Sequence, residues 1–124
     1  MIKSKEQERA KKAWEMVKSI PNNIIENYAS LVKSVPVMIL TNGLGQTLAF
    51  IVSKSKTEEY KLLYEHLSKW LSDNVVWTKS DHISDDLIER VINEKSQGYR
   101  MATEEALAFL AWVKRFATAL SKEG

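Results

Sequence analysis

The chain has 124 residues, 44% of them hydrophobic, a formal net charge of +2 and no cysteine. That length suits one domain around one sizeable core, and the missing cysteines exclude disulfides and thiolate metal sites and point to a reducing cytoplasm. No apolar run nears the ~20 residues of a membrane helix, and the N-terminal MIKSKEQERAKK lacks the apolar core of a signal peptide.

The charge is uneven. It is +3 over residues 1–20, +2 over 21–56, −4 over 57–97 and +1 over 98–124. Positive ends enclose an acidic middle, without the overall excess that would by itself demand a polyanion.

The first segment places Ala10, Ala13, Trp14, Val17 and Ile20 at spacings of three and four, one apolar helical stripe that Pro21 stops. Its outward residues fall into two rows. Glu8, Lys11, Glu15 and Lys18 alternate in sign and pair with one another in solvent. Lys5, Arg9 and Lys12 are all positive, a mild repulsion that a polyanion would relieve, although an exposed lysine-rich face kept for solubility explains the row equally well. Ile24, Ile25, Tyr28, Leu31, Val32 and Val35 make a second stripe, and Pro36 is expected to punctuate it.

TNGLGQTLAF, residues 41–50, is the least obvious stretch. Asn42-Gly43 is a strong hairpin signal, but no third strand is available to stabilise one. The two glycines fall short of a dinucleotide fingerprint, and no Gly-Lys-Ser/Thr follows as a Walker loop requires. The spacing predicts helix over about 37–53, kinked near Asn42-Gly43. Two glycines cost it about 2 kcal/mol in propensity, and close packing of another helix at Gly45 and Ala49 would offset that.

Ser55-x-x-Glu58 has the form of a capping box. Beyond it Tyr60, Leu63, Tyr64, Leu67 and Leu71 make a third stripe, with Trp70 beside it. SDNVVWTKSDHISDD breaks the period and reads as a loop. Ser84 can cap a short helix carrying Leu87, Ile88, Val91 and Ile92, which Gly98 would end. A final helix is expected to begin between Tyr99 and Thr103 and run to about Leu120. Its inner face is Ala102, Ala106, Phe109, Val113, Phe116 and Leu120. Arg100, Glu104, Arg115 and Lys122 lie opposite, with Ala108 and Ala111 among them, and Trp112 sits at the stripe's edge. The fold expected is all-α, a single-domain bundle of about six helices spanning residues 1–124.

Catalytic chemistry is hard to find. His66 and His82 lack a second ligand at a familiar spacing and read as surface residues. Asp81, Asp85, Asp86 and Glu89 could hold a magnesium ion, but carboxylates also favour the positive end of a helix, which is the preferred explanation. No nucleophile adjoins a recognisable base. The expectation is a binding protein with no enzymatic activity, no cofactor and no metal.

Two segments carry more. NGLGQTLAFIVSKS (residues 42–55) and YRMATEEALAFLAWVKRFATAL (residues 99–120), together 36 residues, resemble the paired signatures of the small α-helical subunit of the type III-B CRISPR effector, the Cmr complex. A basic, tryptophan-bearing first helix and the YEHLSKWL helix agree in layout. Val113 stands where leucine is expected, and the acidic loop at 79–86 has no counterpart. The resemblance implies a non-catalytic subunit for antiviral defence. Its partners would be the backbone and large subunits, further copies of itself in a minor filament, and the backbone of the guide and target RNA. RNA contact is expected from Lys5, Arg9, Lys12, Lys54, Arg115 and Lys122, with Arg9 and Lys12 foremost. Helix or subunit packing is expected from Gly45, Ala49 and Trp112. The alternative is a helical protein–protein adaptor without nucleic-acid contact. A metal-assisted enzyme using the Asp81–Glu89 cluster is a further class.

Overall fold

A computed structural model describes residues 4–78 and 86–121. In chain order the helices are α1 (Lys5–Lys18), α2 (Ile25–Asn42), α3 (Leu44–Ser53), α4 (Glu58–Asn74), α5 (Leu87–Ile92) and α6 (Ser96–Leu120). The described residues contain no strand, so the expected all-α bundle of about six helices is what forms. One contiguous core joins all six. The long α6 is its axis, packed against α1 and α2 along much of its length and against α4 and α5 elsewhere. Arg9 meets Glu105, and Trp14 meets Phe116 further along, so α1 and α6 run in the same direction.

The stripes predicted from spacing supply most of the core. Val17, Tyr28, Val32, Val35, Leu63, Leu67, Leu71, Ala106, Phe109 and Val113 are all but sealed from solvent. The edges of the stripes differ. Trp14 remains 40% exposed, Leu120 lies outside the core and Phe116 is half-buried. Leu110 and Ala117 take inner positions on α6 instead. Trp70, placed beside the stripe on α4, is core, stacked on Phe109 with ring centroids 4.9 Å apart.

Several boundaries also differ. Pro36 does not interrupt α2 but lies inside it. Its missing N–H removes one bond to the preceding turn, yet Leu31, Val32 and Val35 before it and Ile39 after it are all buried. That shared burial carries the helix across the gap. The chain breaks instead at Gly43, with φ +89° and ψ 159°, a conformation that favours glycine. Gly43 donates to the Ile39 carbonyl at 2.8 Å and accepts from Thr47, so it ends α2 and starts α3 in a single residue. The Asn42-Gly43 stretch is therefore an elbow between two helices.

The capping box expected at Ser55 and Glu58 does not form; Thr57 precedes α4 without a side-chain cap. The capping box lies at Ser4 and Gln7 instead, at the start of α1. Gly98 does not end α5 but sits within the first turn of α6, which begins at Ser96, earlier than expected. Ser84, proposed as a cap, lies outside the described residues.

Candidate nucleic-acid interface

The packing of α2 on α6 brings Lys33 beside Lys114, Arg115, Thr118 and Ala119, which together line a cleft of about 520 Å³. All three cations are exposed, and among the described residues none of them forms an ion pair. Three positive groups sharing one concave surface repel one another and favour an anion among them. Arg115 is among the residues expected at such a surface. Lys33 and Lys114 are not, because only the tertiary packing of two helices distant in sequence assembles the cleft. The Lys114-Arg115 dipeptide is the visible half of the signal.

The other expected RNA-contacting residues are differently placed. Arg9 is half-buried and forks onto Glu105, with Nε 2.6 Å from Oε2 and Nη2 2.9 Å from Oε1. The Trp70 indole N–H donates to the same Oε2 at 2.9 Å. Burial pushes the Glu105 carboxyl up, but the bonds from Arg9 and Trp70 and the charges of Arg9 and Lys5 outweigh it, leaving it below the usual glutamate range. Lys5 bonds the Asn74 amide oxygen and lies 5.3 Å from the Trp70 ring centre. The repulsive row on α1 is thus relieved within the chain, by a carboxylate on α6. Lys12 is half-buried on α1.

Lys54 caps the C-terminus of α3 and stands 5.4 Å and 5.9 Å from the Phe50 and Tyr60 ring centres. Lys122 lies outside the described residues.

Gly45 makes a close approach. Its N–H donates to the Tyr99 hydroxyl at 2.8 Å, which satisfies a first-turn donor of α3. A Cβ added there would lie 3.3 Å from that hydroxyl oxygen and 3.9 Å from Ile92 Cγ2. Ala49, expected beside it, is exposed on α3 instead. Trp112 is half-buried and tilted against Phe116, with centroids 5.7 Å apart.

His66 is not a surface residue. It is buried, and its Nδ1 shares a 2.6 Å hydrogen bond with the Tyr28 hydroxyl. Burial, with Lys69 nearby, lowers its pKa to about 4. His82, Asp81 and Asp85 lie outside the described residues. Asp86 accepts from the Tyr64 hydroxyl, which in turn accepts from the Ile88 N–H, tying α4 to α5. Among the described residues no group of three or more histidines and carboxylates could hold a metal ion. No described helix is long and apolar enough to cross a membrane.

Comparison with known proteins is consistent across sequence and structure. The family of CRISPR-associated proteins designated Cas_Cmr5 matches residues 5–120. The CRISPR system Cmr subunit Cmr5 of Thermus thermophilus is 30% identical over 123 residues, which is 98% of this chain and 100% of that one. The crystal structure of a CRISPR-associated Cmr5 family protein, also from Thermus thermophilus, is similar with a TM-score of 0.79 and 29% identity. The match covers 97% of this chain and 100% of that one.

Proposed function

The chain belongs to the CRISPR-associated Cmr5 family, and from that premise we propose that it is the small, non-catalytic subunit of a type III-B Cmr effector, working in the cytoplasm in antiviral defence. In this reading it stacks with further copies of itself in a minor filament beside the backbone and large subunits. It helps hold the duplex of guide and target RNA. Base pairing reads the target sequence, so a subunit of this kind needs only contacts to backbone and shape.

The observation that carries the reading is the cleft of Lys33, Lys114 and Arg115. Its cations can neutralise phosphates without reading bases, and two packed helices hold them, Lys33 on α2 and Lys114 and Arg115 on α6. Lys12 and Lys54 remain further candidates for phosphate contact in this reading, whereas Arg9 serves chiefly to join α1 to α6.

An adaptor role without RNA contact draws on a different surface. Val37 and Leu40 on α2 are 63% and 74% exposed, an apolar row suited to a protein neighbour. The two readings separate when the effector is reconstituted with and without this chain. Loss of target-RNA retention, with cleavage chemistry preserved in what remains bound, supports the RNA-holding role. Equal target affinity in its absence overturns it.

A further inference from the structure

Trp14 on α1 meets Phe116 on α6 edge to face, with centroids 5.1 Å apart, and Trp112 also contacts Phe116, tilted by 30° with centroids 5.7 Å apart. This cluster of three rings is not sealed. Trp14 keeps 40% of its surface in solvent, while Trp112 and Phe116 are half-buried. The cluster adjoins the basic cleft. Arg115 follows Trp112 by three residues and Ala119 follows Phe116 by three, so each pair shares a patch of the α6 surface, with Cβ atoms about 5–6 Å apart. Arg115 and Ala119 both line the cleft. One continuous surface therefore offers aromatic area at one end and, at the other, three cations that form no ion pair among the described residues.

We infer that the Trp14–Trp112–Phe116 cluster is a stacking surface for an unpaired RNA nucleotide whose flanking phosphates lie in the Lys33–Lys114–Arg115 cleft. The inference rests on the RNA-contacting reading above and adds that the strand is single at this point. A duplex presents phosphates but keeps its bases stacked on one another, so it would use the cleft and leave the rings idle. A single strand uses both, and base–aromatic stacking tolerates any sequence because every base has a π-face. The cations beside the rings favour this occupant over an apolar protein surface, which would bury three charges without partners.

The test uses the chain with two labelled probes at low salt, a short oligouridine and an RNA duplex of the same length, followed by fluorescence anisotropy. Trp14→Ala is expected to weaken oligouridine binding about tenfold or more and to leave duplex binding unchanged. Trp14→Phe should retain most of the single-strand affinity, and a melting curve confirms that both variants are folded. Lys33→Ala with Lys114→Ala and Arg115→Ala should weaken both probes. If that triple variant weakens both while Trp14→Ala weakens neither, stacking is overturned and the phosphate-binding cleft stands. Equal losses on both probes with Trp14→Ala, or no binding of oligouridine by the parent, also overturn stacking. If the triple variant binds both probes like the parent, the cleft reading itself fails. If Trp14→Ala binds RNA normally but no longer joins the assembled effector, the cluster is a protein contact and the inference is wrong.

Discussion

Arg9 and Glu105 are ninety-six positions apart in sequence and meet in a two-point fork at 2.6 Å and 2.9 Å, with the Trp70 indole as a third partner to the carboxylate. The side chains are only 22% and 11% exposed. The pair thus joins α1, α4 and α6 in partial shelter from solvent, where charge-assisted bonds of this geometry contribute more than surface pairs do.

Removing one partner leaves the other poorly satisfied. Arg9→Ala should cost about 1–3 kcal/mol in chemical denaturation. Arg9→Lys should recover only part of it, because an ammonium cannot reproduce the fork. A double-mutant cycle with Glu105→Gln measures the coupling. Stability unchanged in Arg9→Ala would show that the fork contributes little and would free Arg9 for a ligand.

Two titrating sites, His66 and Glu105, make stability fall as the pH falls. His66 is buried and neutral, with its pKa lowered from 6.5 to about 4. Between these values the unfolded chain binds the proton and the folded chain does not. Stability is therefore complete above about pH 6.5 and falls toward pH 4, by on the order of 3 kcal/mol. Glu105, held below the usual glutamate range, adds a second loss that begins below the ordinary glutamate value and continues as the carboxylate protonates and the fork breaks. Urea melts across pH should show the first fall in the parent and not in His66→Phe. A parent with constant stability from pH 6.5 to 4 would contradict the buried neutral histidine.

Gly45 tests the close approach of α3 to Tyr99. Gly45→Leu should overpack against the Tyr99 hydroxyl and cost about 1–3 kcal/mol. Gly45→Ala should be much milder, since the hydroxyl need give only a few tenths of an ångström and alanine gains up to about 1 kcal/mol in helix propensity. Tyr99→Phe removes the partner of the Gly45 N–H and should cost about 1 kcal/mol. Gly45→Leu melting like the parent would refute the tight contact.

The fold was legible because its helices are amphipathic, and the period of three and four found most of the core directly. In each misreading a local signal did not decide the outcome. Pro36 looks like a stop, but the apolar residues around it are buried as one face. Gly98 looks like a terminus, but α6 begins before it. His66 looks like a surface group because nothing in its own helix reveals that Tyr28 arrives from α2. The site was less legible than the fold for the same reason. Lys5, Arg9 and Lys12 form a visible row, yet Glu105 answers it from the far end of the chain. Lys33 and Lys114 form no row at all and become neighbours only once α2 packs on α6.

Catalysis is expected to reside elsewhere in the effector. The purified chain with magnesium or manganese should leave labelled RNA intact over hours. Metal-dependent cleavage that Asp86→Ala abolishes would assign it an activity and displace the scaffold reading.

The most direct test of the central claim uses assembled effectors carrying Lys33→Ala, Lys114→Ala and Arg115→Ala, with target-RNA affinity followed across a salt series. Phosphate contacts carry no sequence information, so binding should weaken alike for every target that matches its guide. Each lost contact should also make the plot of log affinity against log salt shallower by about 0.7–0.9, or about two to three for the set. Assembly intact with affinity and slope both unchanged would contradict the account.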